Sequence, residues 1–103
     1  MILEELKARL RIIEDEEDLD LLRPILKKGI AKINNIVGAD INYEEDEEAR
    51  EILLEYGRYS YNNAGEYFEE NFSSDLIRLQ IKYLRLQNDT NEQSIKKEFE
   101  QIL

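Results

Sequence analysis

Apolar residues recur along this chain at the three- and four-residue spacing of amphipathic α-helices, and they divide it into four main segments. The first segment is short, with apolar positions from Ile2 to Ile13. The second begins in an acidic run at residues 14–18 and keeps one apolar stripe through Pro24 to Val37. Because the stripe keeps its phase across the proline, we predict one kinked helix that stops at Gly38.

The third apolar stripe predicts a single long helix over residues 44–71. Asn42, followed three residues later by Glu45, matches a capping box at its start. The stripe continues through Gly57 and Gly65, although each glycine inside a helix costs about 1 kcal/mol. No stretch alternates with period two for long enough to indicate a strand.

The fourth segment begins at a pair of serines, Ser73 and Ser74, and runs to about Gln87. Asn, Asp and Thr residues at 88–91 then predict a break. The fold class is therefore all-α: a small bundle of four main helices with a long third helix and a C-terminal tail or short helix. We expect a helical domain over residues 1–89 and a tail, available for docking, over residues 90–103.

The fourth helix has more apolar surface than one face of a small bundle requires. Its core face consists of Leu76, Leu79, Tyr83 and Leu86. An adjoining apolar face consists of Ile77, Ile81 and Leu84. A narrow basic row is formed by Arg78, Lys82 and Arg85. This pattern fits a central core helix. It fits equally well a helix that packs on its own subunit with one face and on a neighbouring subunit with the other.

The predicted third helix has a second face on which glycines alternate with aromatic residues, among them Gly57, Tyr61 and Gly65. Small residues between aromatic ones let another helix approach closely. We predict that this face admits the fourth helix of the same domain, in preference to a helix of a second subunit.

The amino-acid composition limits the kinds of functional site that this chain can contain. The 103 residues include 14 Lys+Arg against 24 Asp+Glu, a net charge of -10, with no Cys and no His. Disulfides, thiolate zinc sites and histidine bases are thereby excluded, and the negative charge disfavours nucleic-acid binding. The start of the chain does not resemble a signal peptide, and no apolar run approaches the roughly 18 residues of a membrane span. We expect a non-enzymatic protein of the cytoplasm.

The most acidic stretch consists of Glu44, Glu45, Asp46, Glu47 and Glu48. A calcium loop counted from Asp40 is disfavoured, because Glu45 stands where the sharp turn of such a loop needs glycine. The stretch is more typical of a solvated helix start, and its charge would keep a DNA duplex from adhering. We predict no catalytic, cofactor-binding or metal-binding residues.

The stretches AREILLEYGRYSYNNA at 49–64, EYFEENF at 66–72 and DLIRLQ at 75–80 resemble the head–tail connector (adaptor, or head-completion) proteins of long-tailed bacteriophages and prophages. The N-terminal pattern, a short helix followed by acidic residues and two leucines, is similar too, so the resemblance covers residues 3–87. It implies a helical structural subunit of a ring that docks beneath the portal, extends the DNA exit channel and joins head to tail in the virion.

The resemblance also implies partners: copies of the chain in a head-to-tail ring of about twelve, the portal protein, and a stopper or tail-completion protein. We expect assembly in the host cytoplasm, DNA that passes without specific binding, and no membrane contact. A monomer in dilute solution is compatible with this function, because such a ring can close on the portal. The C-terminal segment would grip the portal or a neighbour. The predicted interface residues are Tyr59, Tyr61, Arg78, Lys82, Arg85, Ile95, Phe99 and Ile102.

We expect the acidic stretch at 44–48 to line the channel or to meet the basic row of a neighbouring subunit. Replacing Arg78 and Lys82 with Glu should then weaken assembly. The alternative function is that of a small acidic helical regulator, or a DNA mimic, that binds a basic protein.

Overall fold

In a computed structural model the chain is all-α, as predicted. The structure describes residues 2–11 and 16–102, with side chains over 2–11 and 20–87. The helices are α1 (Ile2–Leu10), α2 (Glu16–Val37), α3 (Glu47–Tyr61), α4 (Phe68–Asn71) and α5 (Ser73–Ile102), with a 3-10 turn at Gly65–Tyr67. Because α4 is a single turn, four main helices form the fold.

Helix α2 continues through Pro24 and ends where the sequence predicts. Gly38 adopts a φ of 79°, a left-handed conformation that favours glycine. The N–H groups of Gly38 and Ala39 both donate to the carbonyl oxygen of Asn34, at 2.8 and 3.2 Å, and so satisfy the end of the helix.

Helix α3 is shorter than the predicted 44–71 at both ends. Its N-cap is Asp46, whereas the Asn42 side chain accepts a hydrogen bond from the Glu44 N–H and closes a turn before the helix. At the other end, Asn63 adopts a φ of 58°, which asparagine tolerates better than most residues, and the chain leaves the helix there. The predicted single long helix is therefore wrong.

Helix α5 is longer than predicted, because its backbone stays helical through residues 88–91 and on to Ile102. Asn, Asp and Thr inside a helix each cost less than about 1 kcal/mol, and no Gly or Pro lies in this stretch. At 1.5 Å per residue the helix is about 45 Å long, in a molecule whose longest dimension is 63 Å. The boundary predicted between residues 89 and 90 falls inside it.

The core lies around α3, which packs against both α1 and α2, while α5 packs mainly on α2. Its largest fully buried side chains are Leu6, Leu22, Ile33, Leu53, Leu54, Phe68 and Leu79. The helix at the centre of the molecule is thus α3, and α5 lies at the periphery.

The glycine-containing face of α3 packs against α1, so the prediction that it admits the fourth helix is wrong. A Cβ atom at Gly57 would lie 2.8 Å from Cδ1 of Leu6, which is fully buried. The same atom at Gly65 would meet nothing closer than the Ser60 Cα at 3.9 Å. Of these two glycines, Gly57 alone serves a close approach between helices.

Gly29 brings α2 equally close to α3. A Cβ atom at this position would lie 2.5 Å from Cδ1 of Tyr56 and 2.9 Å from Cδ1 of Leu53. Although alanine favours helix by about 1 kcal/mol, we expect Gly29→Ala to lower the free energy of unfolding by about 1–2 kcal/mol through overpacking. Urea unfolding followed by circular dichroism measures the change. Gly65→Ala is the control and should be close to neutral; stabilisation by Gly29→Ala would contradict the close packing.

Candidate interaction surface on helix α5

An apolar stripe on α5, consisting of Ile77, Ile81 and Leu84, faces away from the bundle. These side chains are 55, 46 and 59% exposed, and their spacing of four and three residues places them on one side of the helix. Leu76 and Leu79, on the other side, are buried. The prediction that α5 carries more apolar surface than its own bundle covers is confirmed.

The stripe is bordered by the contact between α5 and α2. There the side-chain amide of Gln80 donates to the carbonyl oxygen of Ile36, with an N–O distance of 2.6 Å. Beside this bond lies a shallow groove of about 230 Å³, whose lining includes Ile36, Leu76 and Ile77. Three large apolar side chains exposed on one side of a helix, beside a groove, are typical of a site where another protein binds.

The residues of the basic row next to the stripe differ in their contacts: Arg78 and Arg85 are exposed, whereas Lys82 is paired with acidic residues. The Arg78 guanidinium is exposed and lies 3.7 Å from the Asp75 carboxylate, and Arg85 is exposed as well. The Lys82 ammonium, in contrast, lies 2.9 Å from Oδ2 of Asp46 and 3.9 Å from Oε2 of Glu48. Lys82 thus meets the acidic stretch of its own chain, whereas the pairing of this row with a neighbouring subunit stays a prediction.

Asp46 is the centre of this contact, which we call the Asp46 cluster: Asp46, Lys82, Tyr83 and the backbone N–H of Ala49. Oδ2 accepts hydrogen bonds from the Tyr83 hydroxyl at 2.6 Å and from Lys82, and Oδ1 accepts one from the Ala49 N–H at 3.0 Å. The side chain of Asp46 is only 8% exposed. One carboxylate thus caps α3 and also holds α5 against it.

The loop that precedes α3 is held in place as well. The Tyr43 hydroxyl donates to Oδ1 of Asn34 at 2.8 Å, and the Arg50 guanidinium donates to the carbonyl oxygen of Glu44 at 3.0 Å. The other members of the acidic stretch, Glu44, Glu45, Glu47 and Glu48, are all exposed. They form a negative surface on a fixed backbone.

The protonation states in the Asp46 cluster suit a structural role. Burial raises the pKa of Asp46, but the hydrogen bonds from Tyr83, Ala49 and Lys82 lower it more, so the net pKa lies below the usual value. Burial, together with the hydrogen bond to Asp46, raises the pKa of Tyr83 to about 12. At neutral pH the carboxyl is therefore ionised and the phenol is neutral, which is the state that the contact requires.

The two tyrosines predicted at the interface pack on their own chain. The Tyr59 ring meets Phe68 and Phe72 edge-on, with centroids 6.1 and 5.6 Å away, and its hydroxyl accepts a hydrogen bond from the Asn71 amide. Tyr61 is half-buried against the core. Both therefore have a structural role within this chain.

The remaining predicted interface residues, Ile95, Phe99 and Ile102, belong to the last part of α5 and lie outside the residues whose side chains are described. Among the described residues, no three carboxylates lie close enough together to hold a metal ion. No helix of this part of the chain combines the length and apolar character needed to cross a bilayer.

The contact between Asp46 and Tyr83 could not be predicted from the sequence. Asp46 itself carried a usable signal, since an Asp followed directly by Glu47 and Glu48 is typical of an N-cap and a first helical turn. Its partner carried none, because 37 residues separate the two.

Comparison with family models, curated proteins and solved structures gives no match for this chain.

Proposed function

We propose that this chain is a structural subunit of a bacteriophage head–tail connector, forming a ring that docks under the portal, extends the DNA exit channel and joins head to tail. The observation that carries the proposal is the apolar stripe of α5, exposed beside Arg78 and Arg85. A small subunit that leaves such a surface uncovered is suited to pack against other protein chains.

The net negative charge of the chain supports the same role as a connector subunit. A net charge of -10 repels the phosphates of a duplex. A channel wall of this kind lets DNA slide past without binding. The resemblance of residues 3–87 to connector proteins adds the identity of the partners, namely the portal above the ring and a stopper or tail-completion protein below.

The contacts of the ring follow from the position of its charges. A closed ring needs two different patches that meet head to tail. One patch is the apolar stripe with Arg78 and Arg85, and the other is the surface of exposed glutamates at the start of α3. Lys82 is not part of the first patch, because its ammonium is already held by Asp46.

The test is to co-express the chain with the portal protein encoded nearest to its gene and to image the product by negative-stain electron microscopy. We expect a ring of added density at the outlet of the portal. The double variant Arg78→Glu with Arg85→Glu should reduce the ring occupancy. Reversing Lys82 is avoided, since that change also breaks the contact with Asp46.

The control is the double variant Lys27→Glu with Lys28→Glu, which makes the same change of charge at two exposed positions on α2. It should assemble like the unmodified chain. A chain that stays separate from the portal would contradict the proposed function. An equal loss in both double variants would contradict the placement of the interface on α5.

A further inference from the structure

We propose that in the free protein the apolar stripe is covered by a second copy of this chain, whose α5 runs antiparallel to the first. Residues 88–102 of each copy then lie along Ile77, Ile81 and Leu84 of the other. This dimer is independent of the proposed connector function, because it concerns the protein before it meets any partner.

The inference begins with the continuity of α5. Because the helix is unbroken from Ser73 to Ile102, the spacing of the stripe can be followed along the sequence beyond the bundle. Alternating steps of four and three residues from Ile77 reach, in order, Ile81, Leu84, Asn88, Asn91, Ile95, Glu98 and Ile102, with Phe99 next to Glu98. This is the heptad spacing of a coiled-coil seam, about four heptads long.

The polar positions of the seam favour an antiparallel pair. With Leu84 placed opposite Ile95 of the second copy, Asn88 falls opposite Asn91, Ile77 falls opposite Ile102, and Ile81 falls opposite Glu98. The two asparagine layers then match each other at the centre of the pair. A parallel pair would instead place Glu98 against Glu98 of the second copy, which is a repulsion between like charges inside the seam.

The charges that flank the seam favour the same direction. Arg78 and Arg85 lie on one flank in the first half of α5, and the next position on that flank is Glu92. An antiparallel pair brings Arg85 next to Glu92 of the second copy, and the twofold axis repeats the contact. A parallel pair would bring Arg85 next to Gln80. Because two copies with a charge of -10 repel each other overall, a stable contact needs such local attraction.

The surroundings of the stripe also fit a second helix. Ile77 lines the groove of about 230 Å³ that it shares with Ile36 and Leu76, so the far end of the partner helix meets an apolar depression. The connector ring and this dimer would use the same stripe. The dimer must therefore open before the chain can join a ring.

Cysteine cross-linking tests the direction directly, because the chain contains no cysteine of its own. We would prepare Leu84→Cys and Ile95→Cys as two separate proteins, refold them singly and as a mixture, and expose them to a mild oxidant. The expected result is a disulfide-linked dimer from the mixture only. Cross-linking of each variant alone would show a parallel pair, and no cross-link in the mixture would show that the helices do not meet; either result overturns the proposal.

Sedimentation equilibrium on the protein without cysteine gives a second measurement. We expect a dimer whose dissociation constant rises about tenfold or more in Leu84→Gln. The matched control is Leu21→Gln on α2, since Leu21 is also about half exposed, at 51%, and its replacement should leave the dissociation constant unchanged. A monomeric unmodified chain, or an equal effect of the two substitutions, would overturn the dimer while leaving the portal experiment unaffected.

Discussion

Phe68→Ala should lower the free energy of unfolding by about 3–5 kcal/mol, the range typical of removing a buried aromatic ring. Phe68 is fully buried. Its ring meets Tyr56 edge-on and stacks on Phe72, each with a centroid distance of 5.2 Å. Since a domain of this size has about 5–15 kcal/mol of stability in total, the variant should be close to unfolding. Urea titration followed by circular dichroism measures the difference.

The neighbouring residue supplies a matched control. Tyr67 precedes Phe68 in the chain, but its side chain is 54% exposed. Tyr67→Ala should therefore change the free energy of unfolding by about 0.5 kcal/mol or less, as is typical of surface positions. Equal losses from the two substitutions would show that the aromatic packing around Phe68 is not what stabilises this part of the fold.

Asp46→Ala should lower the free energy of unfolding by about 2–4 kcal/mol, because it removes two kinds of contact. Loss of an N-cap costs about 1 kcal/mol, and a hydrogen bond to a charged group contributes about 1.5–3 kcal/mol. Asp46→Ser should restore only the cap. A double-mutant cycle with Tyr83→Phe isolates the contact between α3 and α5, and we expect a coupling of about 1 kcal/mol. If the effects of Asp46→Ala and Tyr83→Phe on the free energy of unfolding simply add, the geometry of the Asp46 cluster is contradicted.

The same contact makes stability depend on pH. Because the pKa of Asp46 is lower in the folded chain than in the unfolded one, its stabilisation is complete above the unfolded value of about 4 and is lost as the pH falls through the folded value. The pKa of Tyr83 is raised, so its stabilisation is complete below about 10 and is lost as the pH rises towards about 12.

Urea midpoints measured between pH 7 and pH 3 check the acidic side. The difference in stability between the unmodified chain and Asp46→Asn should narrow as the pH falls. A difference that stays constant over this range would mean that the charge of Asp46 contributes nothing to folding.

Local signals predicted much of the fold. The all-α class, the passage of α2 through Pro24 and its stop at Gly38 all follow from spacing and from the conformational preferences of single residues. The end of α3 did not follow in the same way. Its apolar stripe keeps phase beyond Tyr61, so periodicity gave no sign that Asn63 turns the chain out of the helix.

The predicted break in α5 at residues 88–91 is wrong because local helix propensity was given too much weight. Polar residues at 88–91 lower helix propensity, but their combined cost is small in a helix of 30 residues. The exposed stripe could be predicted, because apolar residues occupy more of the circumference of α5 than one neighbouring helix can cover. The partner of Lys82 could not, because nothing local shows that α5 passes the start of α3.

The Asp46 cluster also connects α5 mechanically to the start of α3. Tension on α5 acts on Tyr83 and Lys82, which are both hydrogen-bonded to Asp46. Asp46 in turn caps α3, whose first turn carries Glu47 and Glu48. Load applied to the longest helix is therefore transmitted to the placement of negative charge some 36 residues earlier in the chain.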